Sequence, residues 1–419
     1  AMRILFVHQN FPGQYKHLAP ALAGSPANEV VAIGEEANVR RANGLHPRIR
    51  LLGYPEPQGA APETHHYLRG SEAAVRRGQA VLRVAMVLRE QGFVPGVICA
   101  HPGWGEALFL KDVYPDARLL LYLEFFYRAR GSDMGFDQEF PTSFDDQCRL
   151  RIRNATQLIS LEAADAGVSP TQWQRDQYPK PFHERIQVIH DGVRTDQVCP
   201  GPVVDFVLPG NRGTLRSGAE VITYVARNLE PYRGFHTFMR ALPAVLAARP
   251  KAQVLIVGGD EVSYGRRLPT GESYRDAYLR ELGDLIDNRR VHFMGKLPYR
   301  SFLDVLRLSC AHVYLTYPFV LSWSLLEAMS CGCPVIASDT APVREIVKPG
   351  RNGLLVDFFS PAALANAVIW VLAHPEPMQR LRAQARRDIQ EHLDLERTTL
   401  PQLVALVNGL SSRASGRPG

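Results

Sequence analysis

Two doubly wound parallel-sheet α/β domains in tandem are the fold class this sequence predicts, and three observations carry the prediction. Short runs that are apolar on both faces recur between helix-patterned stretches, as parallel strands covered by helices require. The chain has 419 residues, whereas a single hydrophobic core stops growing at roughly 250–300. A stretch rich in Pro and Gly separates the strand runs into two series.

The first series opens with Arg3-Ile-Leu-Phe-Val-His8, read as a buried strand. The glycine-containing loop Gln9-Asn-Phe-Pro-Gly-Gln14 follows, then a helix through Leu18, Ala21 and Leu22, completing the first unit of a doubly wound sheet. Further strands are predicted at Glu29-Val-Val-Ala-Ile33, Gly96-Val-Ile-Cys-Ala100, Leu119-Leu-Leu-Tyr122 and Leu158-Ile-Ser160, and Ile186-Gln-Val-Ile189 closes the series. Helical stretches between them, notably from Ser71 to Gln91, suit parallel connections.

Pro200-Gly-Pro202 and Pro209-Gly-Asn-Arg-Gly213 mark an interdomain linker at residues 201–218, after a domain at 1–200. The second domain, residues 219–395, starts with Val221-Ile-Thr-Tyr-Val225. It continues through Ala252-Gln-Val-Leu-Ile-Val257, Val291-His-Phe293, His312-Val-Tyr-Leu315, Pro334-Val-Ile-Ala337 and Gly353-Leu-Leu-Val356. Beyond Leu355 the chain reads as helical to about Leu410. Residues 396–419 are expected to hold a terminal helix that returns across the cleft between the domains, then a loose, basic tail from Ser411 to Gly419.

Composition narrows the function. Hydrophobic residues at 46% and charged residues at 21% are ordinary for a soluble globular protein. No run of about 18 apolar residues occurs, and Met2–His8 is too short for a signal peptide, so a cytoplasmic location is expected. Six cysteines show no metal-ligand spacing, Cys331 and Cys333 having a single residue between them, and are read as reduced structural thiols. The net charge of +6 comes largely from arginine, including Arg40-Arg41, Arg76-Arg77, Arg266-Arg267 and Arg386-Arg387. Solvated helix faces explain such pairs, but they also permit peripheral contact with anionic lipid at the inner membrane face or attraction of phosphorylated substrates. Nucleic acid is disfavoured, because no basic run is interleaved with aromatics.

The most informative stretch runs from Ser322 to Asp339 and reads as loop, short helix, tight turn and buried strand. Leu325, Leu326 and Met329 lie at helical spacing, Ser322 or Ser324 can cap the first turn, and the amides around Ser324 and Leu325 suit an anion. Glu327 sits one turn in, and Gly332 ends the helix where a left-handed residue is needed. Upstream, Tyr224-Val-Ala-Arg-Asn-Leu-Glu-Pro-Tyr-Arg-Gly-Phe235 runs from strand to loop to helix, with Arg227 and Arg233 projecting near the strand end. Two cations there suit a diphosphate, to which guanidinium groups donate in bidentate fashion.

Leu326-Glu-Ala-Met-Ser-Cys-Gly-Cys-Pro-Val-Ile-Ala-Ser-Asp339 and Ala226-Arg-Asn-Leu-Glu-Pro-Tyr-Arg-Gly234 together resemble family 4 retaining glycosyltransferases of the GT-B type, in which two Rossmann-like domains face each other across a cleft that holds a nucleotide-sugar. The resemblance covers most of the chain. It implies that Glu327 accepts hydrogen bonds from the ribose hydroxyls, that Arg227 is the family arginine, and that Arg233 replaces the usual lysine. Gly295, in Val291-His-Phe-Met-Gly295, would end the strand whose loop meets the base, and Gly13 would lie in the loop where the backbone approaches the diphosphate. Glu124 takes the place of a family histidine that contacts the donor sugar, and His101 follows the preceding strand; either would meet donor or acceptor hydroxyls and assist proton removal. Asp191 replaces the asparagine of a family turn.

Three departures stand out: Phe319 where the family carries a glutamate that touches sugar hydroxyls, Ser322 for a glycine, and Trp323 for an aliphatic residue. Phe319 favours a deoxygenated or modified donor sugar, or a loop that supplies backbone groups instead. The function expected is retaining transfer of a sugar from a nucleoside diphosphate donor to a saccharide, lipid-linked or other hydroxyl acceptor, in surface polysaccharide or glycolipid assembly, without metal or further cofactor. Two rivals stand beside it. One is a GT-B epimerase or phosphorylase, the latter lacking any sign of a pyridoxal lysine; the other is a noncatalytic nucleotide-sugar or glycan-binding protein.

Overall fold

The computed structural model describes residues 1–414, and the chain divides into two compact units: residues 1–192 with 396–419, and residues 193–395. The first unit holds a seven-stranded parallel sheet with strand order β3-β2-β1-β4-β5-β6-β7. Its strands are β1 (Arg3–Val7), β2 (Glu29–Glu35), β3 (Ile49–Tyr54), β4 (Val97–Ala100), β5 (Arg118–Tyr122), β6 (Ala166–Ser169) and β7 (Ile186–Val188). Alternation along β1 builds two core layers at once. Leu5 and Val7 join the layer containing Val81, Ala85 and Leu88 of the helix Arg69–Glu90, while Ile4 and Phe6 join Leu18 and Leu22 on the other face.

That second layer also takes Leu406, Val407 and Leu410 of the terminal helix Leu400–Ala414, so the chain's last helix completes the first unit's core. The helix begins inside the predicted terminal segment and runs past Leu410; the rest of the predicted loose tail, residues 415–419, lies outside the described residues.

Residues 201–218, predicted as a linker, carry the short antiparallel pair β8 (Phe206–Val207) and β9 (Thr214–Leu215). The second unit's six-stranded parallel sheet has the order β12-β11-β10-β13-β14-β15. Its strands are β10 (Val221–Asn228), β11 (Gln253–Gly259), β12 (Val291–Gly295), β13 (Ala311–Tyr314), β14 (Val335–Ser338) and β15 (Leu354–Val356).

One predicted strand is corrected. Leu158-Ile-Ser160 lies inside the helix Ala155–Ala163, where Leu158 and Ile159 are exposed while Ser160 and Leu161 are buried. The strand of that region is β6, whose Ala-Gly-Val-Ser sequence gives little β signal. A side chain at its Gly167 would meet Leu123 at 2.5 Å, which accounts for the small residue.

In each sheet the direction of strand succession reverses once, between β1 and β4 and between β10 and β13. The loops leaving these strand ends diverge to opposite faces and open a crevice, which is where open α/β sheets bind ligands.

Candidate functional site

In the first unit, strand register alone sets a cluster of side chains. Val7 lies opposite Ala100, and Ala100 opposite Leu121, so the residues next in sequence, His8, His101 and Tyr122, emerge side by side. The imidazole of His101 stacks between Trp104 (centroids 4.5 Å, 24°) and Tyr122 (5.8 Å, 25°) and meets His8 edge-on at 5.3 Å. The Gly103 amide donates to His101 Nδ1 at 3.0 Å, which leaves Nε2 to carry the ring proton and donate to Glu124 Oε2 at 3.0 Å. The Gln174 amide donates to the Glu124 carbonyl at 2.7 Å and fixes that backbone.

Gly13 belongs to the same cluster through His8. Its φ is +47°, and a Cβ there would lie 2.4 Å from the His8 ring, so only glycine lets this loop fold onto the imidazole. His8 accepts the Asn10 amide at Nδ1, 2.9 Å away, and faces Gln14 through Nε2. Burial, aided by the neighbouring His101, pulls its pKa down to about 4, so it stays neutral near pH 7. Behind His101 lies Glu106, fully buried and 4.0 Å from Nδ1, too far for a hydrogen bond. Neither of its oxygens meets a donor in hydrogen-bonding geometry, and burial pushes its pKa up to about 7, moderated by His101 and nearby backbone amides. Asp191 accepts the Tyr122 hydroxyl at 2.8 Å, which extends the cluster to the end of the sheet.

In the second unit the predicted cations separate. Arg227, near the end of β10, is exposed and makes no side-chain hydrogen bond or ion pair among the described residues. Arg233, predicted to project, is instead 5% exposed, and its Nη1 donates to Tyr314 Oη (3.1 Å), Thr316 Oγ1 (2.8 Å) and the Val320 carbonyl (2.8 Å). Tyr264 and Phe319 cover the guanidinium at 5.2 and 5.7 Å. Burial opposes its charge, but the surrounding tyrosines, Tyr314 first, hold its pKa above the usual arginine value. Phe319, 7% exposed, forms an aromatic wall with Tyr232 (5.2 Å, 84°) and Tyr264 (5.0 Å).

The helix Trp323–Ser330 starts from Ser322, whose amide donates to the same Tyr314 hydroxyl at 2.9 Å. Ser322 stands at the cap position with its side chain making no capping bond, a correction to the expected cap, and Ser324 does not supply one either. Leu325 is fully buried in the core, so only its backbone is available to a ligand. Glu327 is half-buried and accepts the Tyr299 hydroxyl at 2.6 Å, which ties this helix to the residues following β12 and Gly295 (φ +63°). Gly332 is left-handed (φ +69°), as the turn requires.

Sequence reasoning missed His8, Trp104, Glu106 and Glu230. The carboxylate of Glu230, completely buried, accepts the backbone amides of Ser263 (2.5 Å), Tyr264 (2.9 Å) and Gly265 (2.7 Å). It thereby pins the loop that lays Tyr264 on Arg233. The available signal was an acidic residue directly before a proline at a strand end.

Residues 26–198 match the model of the glycosyl transferase family 4 group, and residues 211–388 that of the glycosyl transferases group 1. The chain belongs to the group 1 glycosyltransferases. The loops after β4 and β5 and every loop of the second sheet fall within the matched segments, whereas the loop after β1 precedes them.

Among curated relatives of this glycosyltransferase, the D-inositol 3-phosphate glycosyltransferase of Rhodococcus erythropolis is 28% identical over 205 residues, 47% of this chain and 45% of that protein. That of Corynebacterium jeikeium is 32% identical over 182 residues, 41% and 42% of the two chains. The chain therefore spans about half the length of the curated relatives it matches. Likeness to solved structures extends further. Sucrose-phosphate synthase from Thermosynechococcus elongatus has a TM-score of 0.73 at 20% identity, covering 99% of this chain and 100% of its own. Anabaena HepE in complex with UDP-glucose has a TM-score of 0.65 at 15% identity, with coverage of 99% and 100%. The two parallel-sheet units and these neighbours make the fold GT-B.

Proposed function

We propose that this glycosyltransferase moves a sugar from a nucleoside diphosphate donor to a hydroxyl acceptor with retention of configuration. The observation that carries the reading is the second sheet's switch point, where exposed Arg227 lies near the end of β10 and the helix Trp323–Ser330, with Glu327 one turn in, follows β13, the side on which open α/β sheets bind ligand. A UDP-glucose complex of the Anabaena neighbour supports the donor class. In this reading Glu327 holds the ribose, and Arg227 with the helix amides near Ser324 neutralises the departing diphosphate. A diphosphate oxygen takes the acceptor proton on the face it leaves, so no paired carboxylates and no metal are required. Arg233, buried among oxygens and rings, shapes the loops around it and contributes field more than direct contact.

The proposed location is cytoplasmic. No helix among the described residues is long and apolar enough to cross a membrane, and the net charge of +6 suits peripheral contact with anionic lipid.

The test is turnover of labelled UDP-, GDP- and ADP-sugars, with and without hydroxyl acceptors. The wild type should release nucleoside diphosphate from one of these donors, and Arg227→Ala should slow release by about a hundredfold. Equal rates in the two proteins would remove Arg227 from the reaction.

A further inference from the structure

Glu106 stands where burial opposes a carboxylate and where no partner compensates it. The side chain is fully buried, neither of its oxygens meets a donor in hydrogen-bonding geometry among the described residues, and Oε1 lies 4.0 Å from His101 Nδ1, which already accepts the Gly103 amide. Glycines close its loop on both sides. A Cβ at Gly105 (φ +101°) would overlap the Ala74 carbonyl of the helix Arg69–Glu90, and one at Gly78 of that helix would lie 2.8 Å from the Gly105 carbonyl oxygen. A Cβ at Gly103 would lie 2.6 Å from the His101 ring, on which Trp104 is stacked. Held this tightly, the loop cannot turn Glu106 out to water without letting go of the helix and of the imidazole.

We propose that Glu106 is a proton-linked positioning residue: while it keeps its proton the loop from His101 to Glu106 stays closed, with Trp104 and the His101–Glu124 pair in place, and loss of that proton to bulk water releases the loop. The groups around it leave a carboxylate there without a counterion of its own. Arg77, on the helix, is committed to Glu35 and to the Tyr54 hydroxyl, 2.7 and 2.8 Å from its Nη1. Tyr54 and Tyr15 are buried phenols whose pKa values are raised, by burial first and by Glu106 among their neighbours. His8 stays neutral, and Glu124 adds negative charge beyond His101.

The direction follows from linkage. Burial outweighs the help of His101 and Arg77 and raises the enclosed carboxyl to about 7, whereas a released one returns toward the ordinary 4.5. Between those values the open loop has lost a proton that the closed loop keeps, so opening grows by roughly tenfold per pH unit and is level outside that window. Any ligand that needs the closed loop is bound more tightly at the lower pH.

Native-state hydrogen exchange of the full chain tests the proposal. From about pH 5 to pH 7, protection of the Gly103 and Gly105 amides, corrected for the intrinsic rate, should fall by roughly tenfold per unit, while Ile98 and Cys99 in β4 show no such fall. Glu106→Gln should level the loop's profile, and Glu106→Leu, apolar and of similar size, should do the same and stands in if the glutamine variant does not fold. A level profile in the wild type, an equal fall in the variants, or loss of protection in step with β4 would each overturn the proposal. Protection that rises with pH at Gly103 would assign the effect to protonation of His101, which turns Nδ1 from acceptor to donor, and would equally overturn it.

Discussion

Arg227 and Arg233 stand six residues apart and answer to different physics. Removing Arg233 leaves two hydroxyls and a carbonyl inside the protein without their shared donor, so Arg233→Ala should lower stability by about 2–3 kcal/mol, read as a shift of the denaturant midpoint at unchanged slope. Arg227→Ala should leave that midpoint in place. A second residue-scale test concerns Gly13, where positive φ and the His8 ring both exclude a side chain; Gly13→Ala should cost about 1–3 kcal/mol in the same measurement. Sequence supplied the identity of these cations and of Gly13 but not their surroundings. Tyr314, Thr316 and Val320 reach Arg233 from another strand end, and no local pattern shows that a loop arginine will be enclosed. His8 escaped notice because it read as the last residue of an apolar strand, and only the pairing of Val7 with Ala100 brings it beside His101.

Elements were most legible where both faces of a strand are buried, because β1, β4, β5, β10 and β11 are nearly continuous apolar runs. The failures follow from the same rule. Leu158-Ile-Ser160 is an equally apolar run, but it lies in a helix, and so short a segment carries no period to tell the two apart. The edge strand β3 was missed because Arg50 and Gly53, both exposed, break its run. The motif from Ser322 to Asp339 was placed correctly as helix, left-handed turn and strand, while the capping bond expected of Ser322 is absent. The loop at residues 263–265 makes its own prediction, since Glu230 holds three successive amides there. Glu230→Gln should speed hydrogen exchange at Ser263, Tyr264 and Gly265 by about tenfold or more without reaching the β10 amides. Protection unchanged in that loop would show that the carboxylate is dispensable to it.

Across the whole molecule, buried titratable groups set how stability varies with pH. His8, His190 and His312 are each pulled down to about 4, burial being the leading cause, so between that value and their ordinary 6.5 the unfolded chain binds protons that the folded chain excludes. Their contribution to stability therefore rises with pH across the window. Glu106 runs the other way. Burial lifts it to about 7, the folded chain keeps a proton that the unfolded chain releases above 4.5, and stability falls as pH rises between the two values. Three groups outweigh one, and thermal unfolding should move upward from about pH 4 to about pH 6.5. Glu106→Gln should gain on the wild type as pH rises from about 5 to about 8, and a constant difference between the two proteins would contradict the burial of an ionisable carboxyl.

Calorimetric titration with UDP, GDP and ADP reads whether the second unit's switch point holds the nucleotide end of a donor. One of these should bind the wild type, and Arg227→Ala and Glu327→Ala should each weaken it by about tenfold or more. No binding by the wild type, or the same affinity in all three proteins, would contradict that role.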